Sequence, residues 1–265
     1  MNYLKYLILF IFSLVTLGSY ADIPRINRRH EKDHREIKTP LSPEYLNAIG
    51  SLGYVDEHEK LRSKRYKNIE CGANLISTEK GVDSDVIITA EHCIFDTINT
   101  YTWTSYNNEN EKIFRKGKLF YKNKKADIAF IELTQKVKYK DIKPLIIQDN
   151  IDIQSDNFLV GGYSMDYLGN YGKELTYDSP KYVKLGNKNG FGEVGSLTYQ
   201  GDSGGAVIYN DEESDTQYIV GVMSYIQNNA NAFKNEVNKF GNISGHFVDL
   251  INYKPFFNFI KEALF

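Results

Sequence analysis

From Leu46 onward the chain is a succession of short runs rich in Val, Ile, Tyr and Phe, each closed by a cluster of Gly, Asn, Asp or Ser. This punctuation constrains the fold more than any other feature. β-Branched and aromatic side chains suit a pleated, half-buried surface, and the intervening residues are those that turn a chain. Strands are predicted at Asn47 to Tyr54, Ala73 to Ser77, Val86 to Thr89, Lys118 to Tyr121, Ile128 to Leu133, Phe158 to Gly161, Ala206 to Tyr209, Tyr218 to Ser224 and Gly245 to Asp249. No internal repeat is visible. The spacing changes only at Pro255 to Phe265, where Phe256, Phe259, Ile260 and Leu264 recur at helical spacing and predict a short amphipathic helix. With Tyr 20 and Phe 15 there is aromatic bulk for a full core, and the expected class is all-β, a barrel or sandwich with a C-terminal helix.

Lys+Arg 32 nearly balance Asp+Glu 34, for a formal net charge of -2. Such a chain offers no basic field to hold a phosphate backbone, so nucleic acid is not an expected partner. The basic stretch Lys112 to Lys125 reads as a solvated strand edge that resists pairing. At the N-terminus, Lys5, the apolar run Tyr6 to Leu17 and the ending Ser19-Tyr20-Ala21 have the layout of a secretory signal, and the run is short of the roughly 20 residues of a membrane span. Residues 1–21 are expected to be a signal peptide, leaving a secreted or periplasmic protein with no stable membrane insertion. Residues 22–44 crowd Arg25, Arg28, Arg29, Glu31, Lys32, Asp33, Arg35, Glu36 and Lys38 ahead of Pro40 and Pro43, without an apolar face. Such a segment reads as a mobile charged arm or an inhibitory propeptide rather than a packed element. His30 and His34 lack further convergent ligands, and neither a metal nor an organic cofactor is expected. The two cysteines, Cys71 and Cys93, lie in the exported part. An oxidising compartment lets them pair, but their spacing leaves both a disulfide and two buried thiols open.

Three local patterns carry chemistry. The apolar run Val86-Ile87-Ile88-Thr89-Ala90 leads into Glu91-His92-Cys93. Lys125-Ala126-Asp127-Ile128-Ala129 sets a carboxylate at the mouth of another apolar run. Gln200-Gly201-Asp202-Ser203-Gly204-Gly205 holds a hydroxyl in a glycine-rich turn before a strand. Acyl transfer needs such a set: a hydroxyl nucleophile, an imidazole that takes and returns its proton, and a carboxylate that fixes the imidazole tautomer. Ser203, His92 and Asp127 are the candidates. The backbone N–H groups of Gly201 and Ser203 are candidates for an oxyanion hole, in which one donor is worth roughly 3 to 4 kcal/mol.

On these motifs the sequence resembles the chymotrypsin- and trypsin-like serine proteases, from about Asn47 to the C-terminal helix. Thr89-Ala90-Glu91-His92-Cys93 is similar to the family's Thr-Ala-x-His-Cys, Asp127-Ile128-Ala129 to its Asp-Ile-Ala, and Gly201-Asp202-Ser203-Gly204-Gly205 to its nucleophile motif. The order His, Asp, Ser is also the family's. The resemblance implies two packed six-stranded antiparallel β-barrels over residues 45–265. His92 and Asp127 would lie in the first and Ser203 in the second, with the division between Lys136 and Gln154. Cys71-Gly72-Ala73-Asn74-Leu75-Ile76 resembles Cys-Gly-Gly-Ser-Leu-Ile, whose Cys pairs with the one after the catalytic His, and so implies a Cys71–Cys93 disulfide. Val220-Gly221-Val222-Met223-Ser224-Tyr225 resembles Val-Gly-Val-Val-Ser-Trp. It implies that Ser224 supports Asp127 and that Tyr225 and Ile226 line the pocket and pair with substrate backbone.

The same comparison assigns Leu197, Thr198 and Gln200 to the substrate pocket. Leu197 stands where a trypsin has the Asp that pairs with Lys or Arg, so cleavage after basic residues is disfavoured and an uncharged side chain is expected. Tyr199 replaces a family Cys, which removes a disulfide that braces the pocket. Family members cut to expose Ile-Val-Gly-Gly pair the new amine with the Asp before the nucleophile, here Asp202. The nearest candidate, Ala48-Ile49-Gly50-Ser51, follows no basic residue, so Asp202 is expected to be satisfied internally. The resulting expectation is a serine endopeptidase acting on protein or peptide substrates through an acyl-enzyme. A glutamyl endopeptidase-like enzyme is an alternative, although the pocket His of such enzymes is absent near Met223. A non-catalytic protein that binds a partner through the same cleft is the other.

Overall fold

The strand-and-breaker pattern gives fifteen strands among the residues that the computed structural model describes, which are 35–58, 63–148, 151–153, 155–163, 174–186, 190–196, 198, 201–226 and 245–251. In chain order they are β1 Glu36–Ile37, β2 Ile49–His58, β3 Ser63–Ser77, β4 Ser84–Thr89, β5 Tyr101–Tyr106, β6 Lys112–Asn123, β7 Ile128–Val137, β8 Leu145–Ile146, β9 Phe158–Gly162, β10 Thr176–Asp178, β11 Val183–Lys184, β12 Phe191–Val194, β13 Ala206–Asp211, β14 Thr216–Ile226 and β15 Gly245–Asp249. Helical structure among these residues is confined to 3-10 turns at Glu44–Ala48 and Glu91–Cys93. Every predicted run falls on a strand, except that Asn47 and Ala48 end the first 3-10 turn. The signal peptide, the arm as far as residue 34, Leu197, Tyr199, Gln200 and the terminal helix lie outside the described residues.

Antiparallel pairing runs β3–β2–β5–β6–β7–β4 and returns from β4 to β3, closing a six-stranded barrel. Closure leaves no free edge, and the alternating apolar side chains fill the interior. Leu52, Leu75, Ile87, Trp103 and Phe130 are fully buried, each worth roughly 1.5–3 kcal/mol of burial. Trp103 is tolerated there because its Nε1–H donates to the Ala73 carbonyl at 2.9 Å. The basic strand β6 is paired on both sides, with β5 and with β7. The expectation of an edge is therefore corrected: Lys118 and Lys122 are exposed on a wall strand of the barrel.

A second antiparallel array runs β10–β9–β13–β14–β15–β12, with β1 added on β10 and β11 on β12. Phe158, Val160, Val207, Tyr209, Val220 and Phe247 form its own cluster. The two-residue strand β8 pairs parallel to both arrays, Leu145 opposite Ile76 and Ile146 opposite Tyr218, and so joins them.

The end of the charged segment does not stay free of the body. Glu36 and Ile37 pair with Tyr177 and Thr176, and the Lys38 N–H donates to Leu175 O at 2.8 Å. Ile37 is 54% exposed, so main-chain hydrogen bonds rather than apolar burial seat this strand. That is why a composition without an apolar face did not reveal it. In β3 the register slips between Leu52 and Gly53, leaving Ile69 and Glu70 as a bulge with Glu70 at φ 49°. Immediately after it comes Cys71, which is disulfide-bonded to Cys93 with Cα atoms 6.3 Å apart.

Candidate active site

Strands β6 and β7 form a hairpin in which Asn123 faces Ile128, so residues 124–127 must turn the chain. The last of them, Asp127, has φ 52°, a left-handed conformation that Asp tolerates better than most residues. Asp127 thereby comes to the mouth of β7. Next door, Thr89 at the end of β4 is in register with Ala129, and the chain then enters the 3-10 turn that holds His92. The disulfide at Cys93 and the buried Ala90 anchor this turn from both sides. Hairpin register and turn geometry together bring His92 to Asp127.

The contact is polydentate. His92 Nδ1 lies 2.9 Å from Asp127 Oδ2 and 3.1 Å from Oδ1, and the His92 backbone N–H donates to Oδ1 at 2.9 Å. Ser224 Oγ donates to Oδ2 at 2.5 Å. Burial pushes the Asp127 carboxyl up. The hydrogen bonds from the His92 ring, Ser224 and the His92 backbone outweigh it, and the pKa lies below the ordinary value. For His92 the hydrogen bond to Asp127 outweighs burial and raises the pKa above the ordinary 6.5. With Nδ1–H given to Asp127, the neutral ring presents Nε2 as its proton acceptor. Ser224 reaches Asp127 from a bulge in β14, where the register against β15 slips between Met223 and Tyr225.

Ser203 sits in a turn sewn to both arrays. Gly72 N–H of β3 donates to Ser203 O at 2.8 Å, and Asn74 Nδ2 donates to Gly204 O at 2.9 Å. From the other side, Gly204 N–H donates to Met223 O at 2.7 Å and Gly205 N–H to Asp202 O at 2.9 Å. Gly201 and Gly204 have φ of 100° and 76°, values that require glycine. Among the described residues no hydrogen bond uses the N–H of Gly201 or Ser203, as an oxyanion hole requires. The Ser203 hydroxyl donates to the Ser224 carbonyl at 3.3 Å, and no hydrogen bond joins it to His92 among the described residues. Ser224 thus touches both Asp127 and Ser203.

Asp202 is met by a residue that sequence reasoning left in the arm. Arg35 Nη1 lies 3.5 Å from Asp202 Oδ2, with the side chains 7% and 9% exposed. Arg35 also lies 3.4 Å from Thr176 Oγ1. A Cβ on Gly162 would come within 2.7 Å of Asp202 Oδ1, so glycine there makes room for the carboxylate. Sequence reasoning also missed the docking roles of Gly72 and Asn74. A polar Asn inside the apolar run Ala73 to Ile76 was the available signal.

Of the pocket residues, Thr198 is 1% exposed and its hydroxyl has no hydrogen-bond partner. Tyr225 and Ile226 belong to β14, but their side chains lie outside the described residues, as do Leu197 and Gln200 entirely. Cys71, His92 and Cys93 approach one another closely enough for a metal, but both sulfurs are in the disulfide and are not thiolate ligands. A depression of about 610 Å³ on the barrel, lined by Ser51, Thr102, Thr104, Tyr66, Phe114 and Tyr163 among others, includes none of the candidate catalytic residues. Among the described residues no helix is long and apolar enough to cross a membrane. The profile of the Trypsin family matches residues 60–243, a span that contains His92, Asp127, Ser203 and Ser224 and excludes Arg35. A comparison with curated proteins returns no match.

Proposed function

The chain belongs to the trypsin family, and on that premise we propose that it is a secreted or periplasmic serine endopeptidase that cleaves protein or peptide substrates through an acyl-enzyme. The observation that carries the reading is the fixed imidazole. His92 gives Nδ1–H to a carboxylate that three further hydrogen-bonding contacts hold in place, which leaves Nε2 as the base. Ser203 Oγ, released from the Ser224 carbonyl by rotation about χ1, attacks the scissile carbonyl carbon as His92 Nε2 takes its proton. Asp127 stabilises the imidazolium that forms, and the N–H groups of Gly201 and Ser203 receive the oxyanion. His92 then protonates the departing amine, and water releases the acyl group by the same route in reverse.

In this reading the second antiparallel array is the second barrel and substrate lies between the two. Secretion rests on residues 1–21 as a signal peptide. Leu197 in place of a pocket carboxylate supports an uncharged preferred side chain. One observation favours a glutamyl endopeptidase-like preference instead: the buried Thr198 hydroxyl lacks a partner, and a substrate carboxylate would supply one. The test is fluorophosphonate labelling of the chain from residue 22 beside Ser203→Ala, followed by peptides carrying Leu or Glu before the scissile bond. Labelling that Ser203→Ala abolishes is expected, with faster cleavage after Leu. An unlabelled wild-type chain would overturn the endopeptidase reading in favour of a non-catalytic binding protein.

A further inference from the structure

We propose that Arg35 is a positioning residue for the nucleophile turn, a built-in latch that makes the enzyme competent without any cut and that a cut on the C-terminal side of Arg35 would release. The proposal rests on the endopeptidase reading for its catalytic consequence, but its structural content stands on the Arg35–Asp202 pair alone.

The argument begins with desolvation. Asp202 is a nearly inaccessible carboxylate, and a charge so placed needs a partner of opposite sign. Arg35 faces it from a different part of the chain, itself 7% exposed. Removing the guanidinium leaves the carboxylate two options, to stay buried and uncompensated or to swing toward water. Swinging has a direct effect on Ser203, because the Asp202 carbonyl and the Ser203 N–H belong to one planar peptide unit. In the present geometry that carbonyl accepts the Gly205 N–H at 2.9 Å, which fixes the plane and therefore the direction of the Ser203 N–H. If the unit turns, the N–H turns with it and the oxyanion site is lost while the chain stays folded.

How Arg35 is delivered explains the regulatory reading. It immediately precedes β1, whose two residues hydrogen-bond along β10, and its Nη1 also reaches Thr176 of that strand. Glu36 adds a hydrogen bond from Tyr177 Oη at 2.5 Å. The clip is short and mostly polar, with Ile37 largely exposed, so it is removable without opening a core. Residues up to 34 are dispensable in this scheme, whereas Arg35 is not. A family partner for Asp202 is a freshly cut N-terminal amine; here a side chain that no cut creates stands against the same carboxylate.

The experiment compares chains starting at residue 22, at His34 and at Glu36, together with Arg35→Gly and Arg35→Lys in the first of these. Readouts are fluorophosphonate labelling rate, kcat and KM on a peptide, and amide hydrogen exchange of residues 201–205. The His34 start is expected to match the longer chain. The Glu36 start and Arg35→Gly are expected to lose about 100-fold in kcat, the range of a lost oxyanion donor, with KM little changed. Millimolar guanidinium, but not sodium chloride at equal ionic strength, is expected to restore Arg35→Gly in part, and Arg35→Lys to retain part of the rate. Wild-type kcat in Arg35→Gly, or a loss that guanidinium does not reverse, overturns the latch. If the wild-type chain itself is not labelled, the endopeptidase reading fails on its own, and exchange decides the latch. Loss of protection confined to 201–205 in Arg35→Gly sustains it, and unchanged protection overturns it.

Discussion

Asp127 and His92 shift each other's proton affinity in opposite senses, and the pH behaviour follows from those two directions. His92 acts as a base only when neutral, and its pKa is raised by the hydrogen bond to Asp127. The acid limb of kcat/KM is therefore expected to have its midpoint above 6.5, the ordinary histidine value. Asp127→Asn should move that midpoint down and depress the plateau, read from a pH–rate profile of both proteins. The stability consequences have separate windows. The His92 interaction is fully present below the ordinary histidine pKa and is lost as pH rises through the raised one. The Asp127 interaction is present above the ordinary carboxylate pKa and is lost as pH falls through the lowered one. At 46% exposure of the His92 side chain, solvent screens its share strongly. Most of this constellation was legible in the sequence, because Thr89 to Cys93, Asp127 to Ala129 and Gly201 to Gly205 are local motifs. Arg35 was not, since nothing near it in the chain indicates that Asp202 lies opposite.

Legibility among the elements followed length and apolarity. Strands with apolar runs, such as β4, β7 and β15, were readable, whereas β5 mixes Thr, Ser and Tyr, and β1, β8, β10 and β11 have two or three residues each. Strands that short are defined by their partners rather than by their own side chains. The 3-10 turn Glu91–Cys93 is likewise held by a partner, through the disulfide to β3. The bond closes a loop with a sequence separation of 22 and is worth about 3 kcal/mol in the chain-entropy view. Replacing both cysteines by Ser is expected to lower the thermal midpoint by roughly 6–12 °C for a chain of this size. Labelling by a fluorophosphonate should slow as well, since the turn that carries His92 loses its tether. A midpoint within a degree of wild type would count against that assignment.

Across the whole molecule, the closed barrel supplies His92 and Asp127 and the second array supplies Ser203 and Ser224, yet the supports cross between them. Ser224 of β14 holds Asp127, while Gly72 and Asn74 of β3 hold the carbonyls of Ser203 and Gly204. With β8 paired to both arrays, the two are expected to unfold in one transition. Near-ultraviolet circular dichroism and loss of labelling should then coincide on heating, and two separated midpoints would refute it. This coupling was the least legible part of the sequence, because it depends on contacts between residues more than a hundred positions apart. Its consequence reaches past stability. A fragment that keeps only one half retains either a base without a nucleophile or a nucleophile in an unsupported turn. Partial degradation of this chain therefore leaves no piece able to digest its surroundings, and competence is a property that only the assembled whole can express.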